Sequence, residues 1–163
     1  KSVRFKWREH VTKTVSENGE ALEKFCNALK DGNSEVVEQS LNNYLKRTIS
    51  IRDTFVKKQM KENFYHGILL GILGFQQNWS VSSNKESGDG YSDILIETED
   101  QETGIIIEIK YAETGNLEAV SEDALKQIED RRYEEQLLEE GVEHILKYGI
   151  AFYKKKCKVI VVK

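Results

Sequence analysis

Hydrophobic residues in the first 73 positions recur every three or four residues, which is the spacing of one face of a helix. The pattern predicts helices over residues 21–31, from 34 to about 48, and from 53 to about 73; for residues 3–15 it leaves a helix and a short strand open. Asp31-Gly32 is a natural helix stop, and Ser34 and Asp53 can act as N-caps for the two later helices.

After Gly74 the periodicity changes to that of strands. A short strand at 79–81, a polar loop at 82–90, an alternating strand at 93–97, a hairpin connection at 98–104 and a strand that is apolar on both faces at 105–110 are predicted in turn. Residues 117–147 follow as a helical segment with a break near Glu140-Gly141, and strands 148–153 and 158–162 flank a lysine-rich turn. This order predicts a mixed α/β sandwich around a central sheet.

Length and composition narrow the class of protein. The chain has 163 residues, 32% of them charged, and its apolar runs are far shorter than the roughly 20 residues that cross a bilayer. It has no signal-peptide pattern, and Cys26 and Cys157 stand alone, as expected for reduced thiols of a cytoplasmic protein. Because it starts at Lys1 rather than at methionine, we expect a piece of a longer protein.

The charge is unevenly distributed. The net charge is −4, and residues 61–110 alone carry three basic and nine acidic side chains, a net charge of −6. This segment would repel a phosphate unless one or two divalent cations were bound to it. The pattern therefore favours a metal site in the middle of the chain.

Two carboxylates and a lysine in that segment have the spacing of a shared site. If the hairpin turn is centred between residues 100 and 101, Asp93 lies opposite Glu108, and Lys110 shares their face of the sheet. Asp93, Glu108 and the main-chain carbonyl of Ile109 would then hold Mg²⁺ with waters, and Lys110 would orient a water or neutralise charge on a phosphate. The alternatives are a solvated strand face, a Lys110–Asp93 ion pair, or a register slip of one that separates the charges.

Further polar residues lie on the predicted helices. Glu62 and His66 are four residues apart and share a helix face, so Glu62 would reach the same metal directly or through water. Gln127 and Tyr133 lie on the helix that follows the Glu-x-Lys strand. For all four residues the ordinary alternative is a surface or packing role.

These residues together resemble the PD-(D/E)XK nuclease superfamily. Ser92-Asp93 stands in the place of its Pro-Asp, and Glu108-Ile109-Lys110 is its Glu-x-Lys. More closely, residues 53–163 resemble the C-terminal nuclease-like domain of bacterial AAA-ATPase-like proteins, and the stretches that carry this likeness are 62–67, 83–90, 107–110 and 148–152. Tyr91 departs from the pattern, since related sequences tend to have a basic residue there.

The resemblance implies a restriction-endonuclease-like core of a helix, a three-stranded meander, a helix and a strand, preceded by a helical extension over residues 1–52. It implies Mg²⁺ or Mn²⁺ as cofactor and DNA as substrate, with an upstream ATPase-like domain in the same chain as partner. Asp93 and Glu108 would be ligands, Lys110 the catalytic lysine, and Glu62 the helix carboxylate. Gln127 and Tyr133 would support the site, and Glu86 also matches the loop motif.

Two functions from different classes stay open. One is a metal-dependent nuclease. The other is a non-catalytic adaptor of nuclease fold that serves the upstream ATPase. A third possibility, a helical scaffold with an incidental strand pair, requires that residues 105–109 are not a central strand.

Overall fold

The computed structural model describes residues 19–48, 58–86, 90–130 and 133–163. The predictions for residues 3–15 and for an N-cap at Asp53 lie outside these ranges. Within them there are five helices: α1 (Gly19–Asp31), α2 (Ser34–Thr48), α3 (Lys58–Leu73), α4 (Leu117–Asp130) and α5 (Tyr133–Glu139). None of the helices in these ranges is long and apolar enough to span a membrane.

The turn between α1 and α2 shows why one helix ends and the next begins. Gly32 has a φ of 74°, and the amide of Asn33 donates to the carbonyl of Ala28 at 2.9 Å, which closes α1 with a left-handed glycine. The Asn33 side chain then accepts a hydrogen bond from the amide of Val36 at 3.3 Å. The N-cap of α2 is therefore Asn33, one residue before the predicted Ser34, because asparagine side chains accept from the same backbone donor.

The segment predicted as helical over 117–147, with a break near Glu140-Gly141, contains two described helices and the start of a strand. At the predicted break, Gly141 has a φ of 92°, and the amide of Val142 donates to the carbonyl of Leu137 at 3.1 Å. This is a Schellman motif, and the contact between Val142 and Leu137 in one hydrophobic cluster completes it. The chain continues as a strand from His144, so the prediction of helix up to residue 147 is wrong.

In the described residues, five strands form a single sheet in chain order: β1 (Ser80–Glu86), β2 (Gly90–Glu97), β3 (Thr103–Tyr111), β4 (His144–Tyr153) and β5 (Lys156–Val162). Neighbouring strands are antiparallel except β3 and β4, which are parallel and are connected by α4 and α5. Both β1 and β2 extend into the stretch predicted as a polar loop. β1 is an edge strand, and its main-chain pairing from Ser80–Glu97 to Glu86–Gly90 needs no apolar side chains.

Helices cover both faces of the sheet. On one face, buried side chains of α1, α2 and α3 pack against alternate positions of the strands, such as Ile107 and Ile150. On the other face, Ile106 packs with Ile128 of α4 and Leu137 of α5. The strand at 105–110 is thus a buried central strand, as predicted, and the helical-scaffold alternative is excluded.

The exposed edge of the sheet at β5 is covered by α2. The amide of Cys157 donates to the Asn42 side chain at 2.8 Å, and the amide of Val159 donates to the Glu38 carboxylate at 2.9 Å. These side chains replace the strand that β5 lacks on that side. Since α1 and α2 also share the main hydrophobic core with the sheet, a boundary between a helical extension and a nuclease-like domain at residue 52 stays a prediction.

Both cysteines are free and buried, in agreement with the sequence. Burial raises the pKa of the Cys26 thiol to about 11 and also raises that of Cys157. Neither thiol is therefore a reactive thiolate at neutral pH.

Candidate metal centre

The turn between β2 and β3 fixes the register on which the site depends. The hydroxyl of Thr98 donates to a carboxylate oxygen of Asp100 at 2.6 Å, and the amide of Glu102 donates to the same oxygen at 3.0 Å. These bonds, first that of Thr98, lower the pKa of Asp100, and Gln101 takes a φ of 59° to complete the turn. Lys30 of α1 forms ion pairs with Glu99 and Asp100, so the turn is also held from outside.

Asp93 and Glu108 lie directly opposite each other on β2 and β3, as the hairpin arithmetic predicts. Directly opposed residues of antiparallel strands point to the same face, and Lys110, two residues from Glu108, shares that face. Both carboxylates are fully buried, with 0% exposure, whereas Lys110 is half-buried. The alternative of a solvated strand face is therefore wrong, and no ion pair joins Lys110 to Asp93 in the described chain.

The Glu108 carboxylate is buried and has no hydrogen-bond partner among the described residues. Neither of its oxygens accepts a hydrogen bond from any residue that the structure describes. A buried carboxylate that lacks both counter-charge and donors is costly, by about 1–3 kcal/mol or more. A cation bound at this point would remove that cost, and hard divalent cations prefer carboxylate oxygens.

Ile109 follows Glu108 with its side chain in the core on the opposite face. The described pairing of β3 with β2 ends at Asp93–Glu108, whereas its pairing with β4 continues to Tyr111. In the described pairing, the main chain at Ile109 therefore has a strand neighbour on the β4 side only, at the position where its carbonyl is expected to act as a ligand.

Glu62 does not join the two carboxylates. It is half-buried on α3, and its Oε1 accepts a hydrogen bond from the amide of Tyr111 at 3.1 Å, three residues beyond Glu108 on β3. Across the described ranges no group of three or more His, Cys, Asp or Glu side chains comes together as a metal site. The geometry therefore offers two carboxylates at the site, with Glu62 at the end of the same strand.

His66 links α3 to the first two strands from the face opposite the carboxylates. It is buried, and its Nε2 lies 3.1 Å from the hydroxyl of Ser83. Burial lowers its pKa, while a hydrogen bond to the Asp93 main chain and the charge of Asp93 partly oppose the change. This bonding matches the structural alternative for His66 and places it behind the strand that carries Asp93.

Gln127 and Tyr133 lie on the two helices that cover the carboxylate face. Gln127 is half-buried on α4, and its amide makes no hydrogen bond to Asp93 or Glu108 within the described ranges. Tyr133, the first residue of α5, packs against the cluster around Ile106. Glu86 is the last residue of β1, and its side chain is outside what the structure describes.

A residue that the sequence analysis missed, Gly149, controls how closely α4 approaches the site. Gly149 is paired with Glu108 across β3 and β4, and a Cβ added there would lie 2.4 Å from the carbonyl oxygen of Ser121. Only a glycine allows the backbone of α4 to lie this close to the strand. Its position inside the apolar run Tyr148-Gly149-Ile150 is a signal for such a close approach.

A meander of β1, β2 and β3, a helical crossover to a parallel strand, and an Asp opposite a Glu-x-Lys define a restriction-endonuclease-like fold with added N-terminal helices. Residues 60–162, more than half of the chain, match the family model of the PD-(D/E)XK nuclease superfamily. The chain therefore belongs to the PD-(D/E)XK nuclease superfamily. No curated protein and no solved structure gave a match.

Proposed function

We propose that this chain is a divalent-metal-dependent nuclease that hydrolyses phosphodiester bonds of DNA. The observation that carries the proposal is the fully buried Glu108 carboxylate, which faces the equally buried Asp93 and has no hydrogen-bond donor among the described residues. Membership of a superfamily of nucleases supports the reaction class. Mg²⁺ or Mn²⁺ is the cofactor we expect.

Asp93, Glu108 and the carbonyl of Ile109 would hold the cation. Bound there, it would supply Lewis-acid activation of a water and of a phosphoryl oxygen. Lys110, half-buried on the same face, would orient that water or neutralise charge on the phosphate. Because the carboxylates are buried and Lys110 is partly exposed, substrate would approach from the Lys110 side.

The remaining residues are proposed to support the site. Glu62 holds the end of β3 through the Tyr111 amide and would reach the metal only through water, while His66 fixes the strand of Asp93. Gln127 and Tyr133 would orient water or substrate from the covering helices. Glu86 is proposed as a further substrate contact at the end of β1.

Cleavage of DNA tests the proposal. Plasmid and single-stranded DNA are incubated with the purified chain and Mg²⁺ or Mn²⁺, together with Glu108→Ala and Lys110→Ala. We expect nicking or degradation by the parent chain and loss of activity by at least about 100-fold in each variant, the size of effect when one stabilising group is removed. Glu102→Ala and Lys126→Ala, at exposed positions, are matched controls that should retain activity. Cleavage that persists in both site variants would contradict these assignments.

A second candidate function is a non-catalytic adaptor with the same fold. The observation in its favour is that Glu62 is bonded to the Tyr111 amide, which leaves two rather than three acidic side chains at the site. The adaptor predicts no metal binding at Asp93 and Glu108. Calorimetry that finds a Mn²⁺ site in the parent chain and none in Asp93→Ala excludes it.

In either case we propose that the chain acts in the cytoplasm beside an upstream ATPase-like domain of the same protein. The support is the resemblance of residues 53–163 to the C-terminal domains of such proteins. Expression of the full-length protein, with and without this part, and a comparison of its ATPase activity would test the connection.

A further inference from the structure

A group of lysines lies at the same end of the sheet as the carboxylate site. Because β3 and β4 are parallel, their carboxyl ends lie at the same end of the sheet, where Lys110 is paired with Ala151. Three residues past Ala151 the chain enters the turn between β4 and β5, which consists of Lys154 and Lys155. Together with Lys156, the first residue of β5, these residues are called the lysine turn.

The lysine turn is held in place by buried aromatic rings. The hydroxyl of Tyr65 donates to the carbonyl of Lys154 at 2.6 Å, and the Tyr65 ring stacks on Phe152 with centroids 4.4 Å apart. Lys154 takes a φ of 52°, and its ammonium lies 5.1 Å from the centroid of the Tyr153 ring. The turn is therefore tied to the core through Tyr65, and the Tyr153 ring directs the side chain of Lys154.

The ammonium groups of the lysine turn lack carboxylate partners in the described parts of the chain. Lys154 and Lys156 are exposed and Lys155 is half-buried, and none of the three forms an ion pair there. By contrast, the nearby Lys158 lies 3.6 Å from Glu38 and Lys147 lies 2.6 Å from Glu134.

The other charged residues at this end of the sheet do not cancel the positive charge of the lysine turn. Lys61 adds a further cation, 4.6 Å from the centroid of the Tyr111 ring. Of the carboxylates that adjoin Lys61 and Tyr111 in the chain, Glu62 accepts the Tyr111 amide and Glu113 is exposed. A basic surface on a chain with a net charge of −4 is what we expect of a site that binds a polyanion.

The offset along the strand direction between Lys110, which pairs with Ala151, and the lysine turn fits the phosphate spacing of DNA. Three residues of extended chain between Ala151 and Lys154 span about 10 Å. One strand of DNA carries a phosphate about every 3.4 Å along the helix axis, so this length corresponds to about three nucleotides.

We propose that the lysine turn binds the phosphate backbone of DNA about three nucleotides away from the phosphate that reacts beside Lys110. The inference rests on the proposed nuclease function for its choice of polyanion. It adds a binding surface to the chain outside the carboxylate face.

The test measures DNA binding in EDTA, so that binding is separated from cleavage. The probes are a fluorescein-labelled 30-base-pair duplex and a 30-nucleotide single strand of mixed sequence, followed by fluorescence anisotropy over a range of NaCl concentrations. The variants are Lys154→Gln, Lys155→Gln and Lys156→Gln combined, and the same three positions changed to Arg. The matched control combines Lys24→Gln, Lys46→Gln and Lys126→Gln, which removes the same charge from exposed positions elsewhere.

We expect the Gln variant of the lysine turn to bind at least about ten-fold more weakly. Its slope of log affinity against log salt should be shallower by about 0.9 per lost contact on the duplex, or about 0.7 on the single strand. The Arg variant and the matched control should bind like the parent chain. Equal losses in the lysine-turn variant and the control, or no binding by the parent chain, would overturn the inference. Binding that depends on the lysine turn without any cleavage in Mn²⁺ would instead refute the nuclease function and leave the binding surface in place.

Discussion

At the scale of single residues, the site depends on charges placed where water cannot reach them. The sequence predicted that Asp93 and Glu108 face each other, because alternation along two strands and a short polar turn determine the register. It did not predict that both are fully buried, since burial depends on α4 and α5, which are distant in the chain. Nor did it predict the bond between Glu62 and the Tyr111 amide, a contact across 49 residues.

A second carboxylate pair on the same face permits a prediction about pH. Glu97 of β2 shares a hydrogen bond with Glu140, and this bond raises the pKa of Glu97. A carboxyl group whose pKa is raised in the folded state contributes to stability when it is protonated. This contribution is fully present below the unfolded pKa of about 4.3, and it is lost as the pH rises through the raised pKa. Above that pH the proton that joins the two carboxylates is lost, and the contribution of the shared hydrogen bond is lost with it.

Glu140→Gln should therefore stabilise the chain at pH 7, because an amide donates to the Glu97 carboxylate without a charge. We expect a gain of a few tenths of a kcal/mol, since solvent screens this partly exposed pair, and no gain near pH 4. Urea unfolding at the two pH values measures it, with the exposed neighbour Glu139→Gln as control. A variant that is less stable than the parent chain at pH 7 would contradict this prediction.

At the scale of elements, local patterns predicted the helices and the central strand, while pairing decided the rest. β1 continues through a polar segment because edge strands need main-chain partners more than apolar side chains. Ile145 and Leu146 fit a helix or a strand equally well, and only the parallel pairing of His144 with Thr103 starts β4 there. The residues around 144–146 carry no information about this pairing with Thr103, which is distant in the chain.

Close packing of α4 on β4 predicts a strong effect of Gly149→Ala. The added methyl group would meet the Ser121 carbonyl and Leu125, so the helix must shift away from the strand beside Glu108. We expect a loss of about 1–3 kcal/mol in the free energy of unfolding, measured by urea denaturation. Gly67→Ala is the matched control, because its methyl group would meet nothing within 4 Å on helix α3. That control should be stabilised by about 0.5–1 kcal/mol, and equal effects of the two substitutions would contradict the packing argument.

Cover of the sheet edge by α2 predicts that Asn42→Ala destabilises the chain. The substitution leaves the Cys157 amide without its acceptor, at a cost of about 1–2 kcal/mol. Asn43→Ala, at the exposed neighbouring position, should change stability by less than about 0.5 kcal/mol. Urea denaturation of both variants decides the point, and similar stabilities would show that α2 does not protect β5.

At the scale of the whole molecule, the sheet is covered on both faces, and Asp93, Glu108, Lys110 and the lysine turn lie towards one end of it. The β2–β3 hairpin places Asp93 opposite Glu108, and the parallel strand β4 places Gly149 beside Glu108. The turn between β4 and β5 brings the lysines to the same end of the sheet. The motif residues could be recognised in the sequence. Their meeting at one end of the sheet could not be predicted, because it depends on the parallel pairing of segments about 40 residues apart. The nuclease proposal depends on this convergence in turn, because it assigns the buried carboxylates to a bound cation.

Melting of the parent chain and Glu108→Gln in EDTA and in Mn²⁺ tests this claim most directly. In EDTA the variant should melt higher than the parent chain, because it lacks the buried charge. In Mn²⁺ at about 100 times the dissociation constant, the parent chain should gain about 2.7 kcal/mol and the variant nothing, with Glu102→Gln behaving like the parent. If the parent chain and Glu108→Gln respond equally to Mn²⁺, or the parent chain does not respond at all, Asp93 and Glu108 are not a metal site.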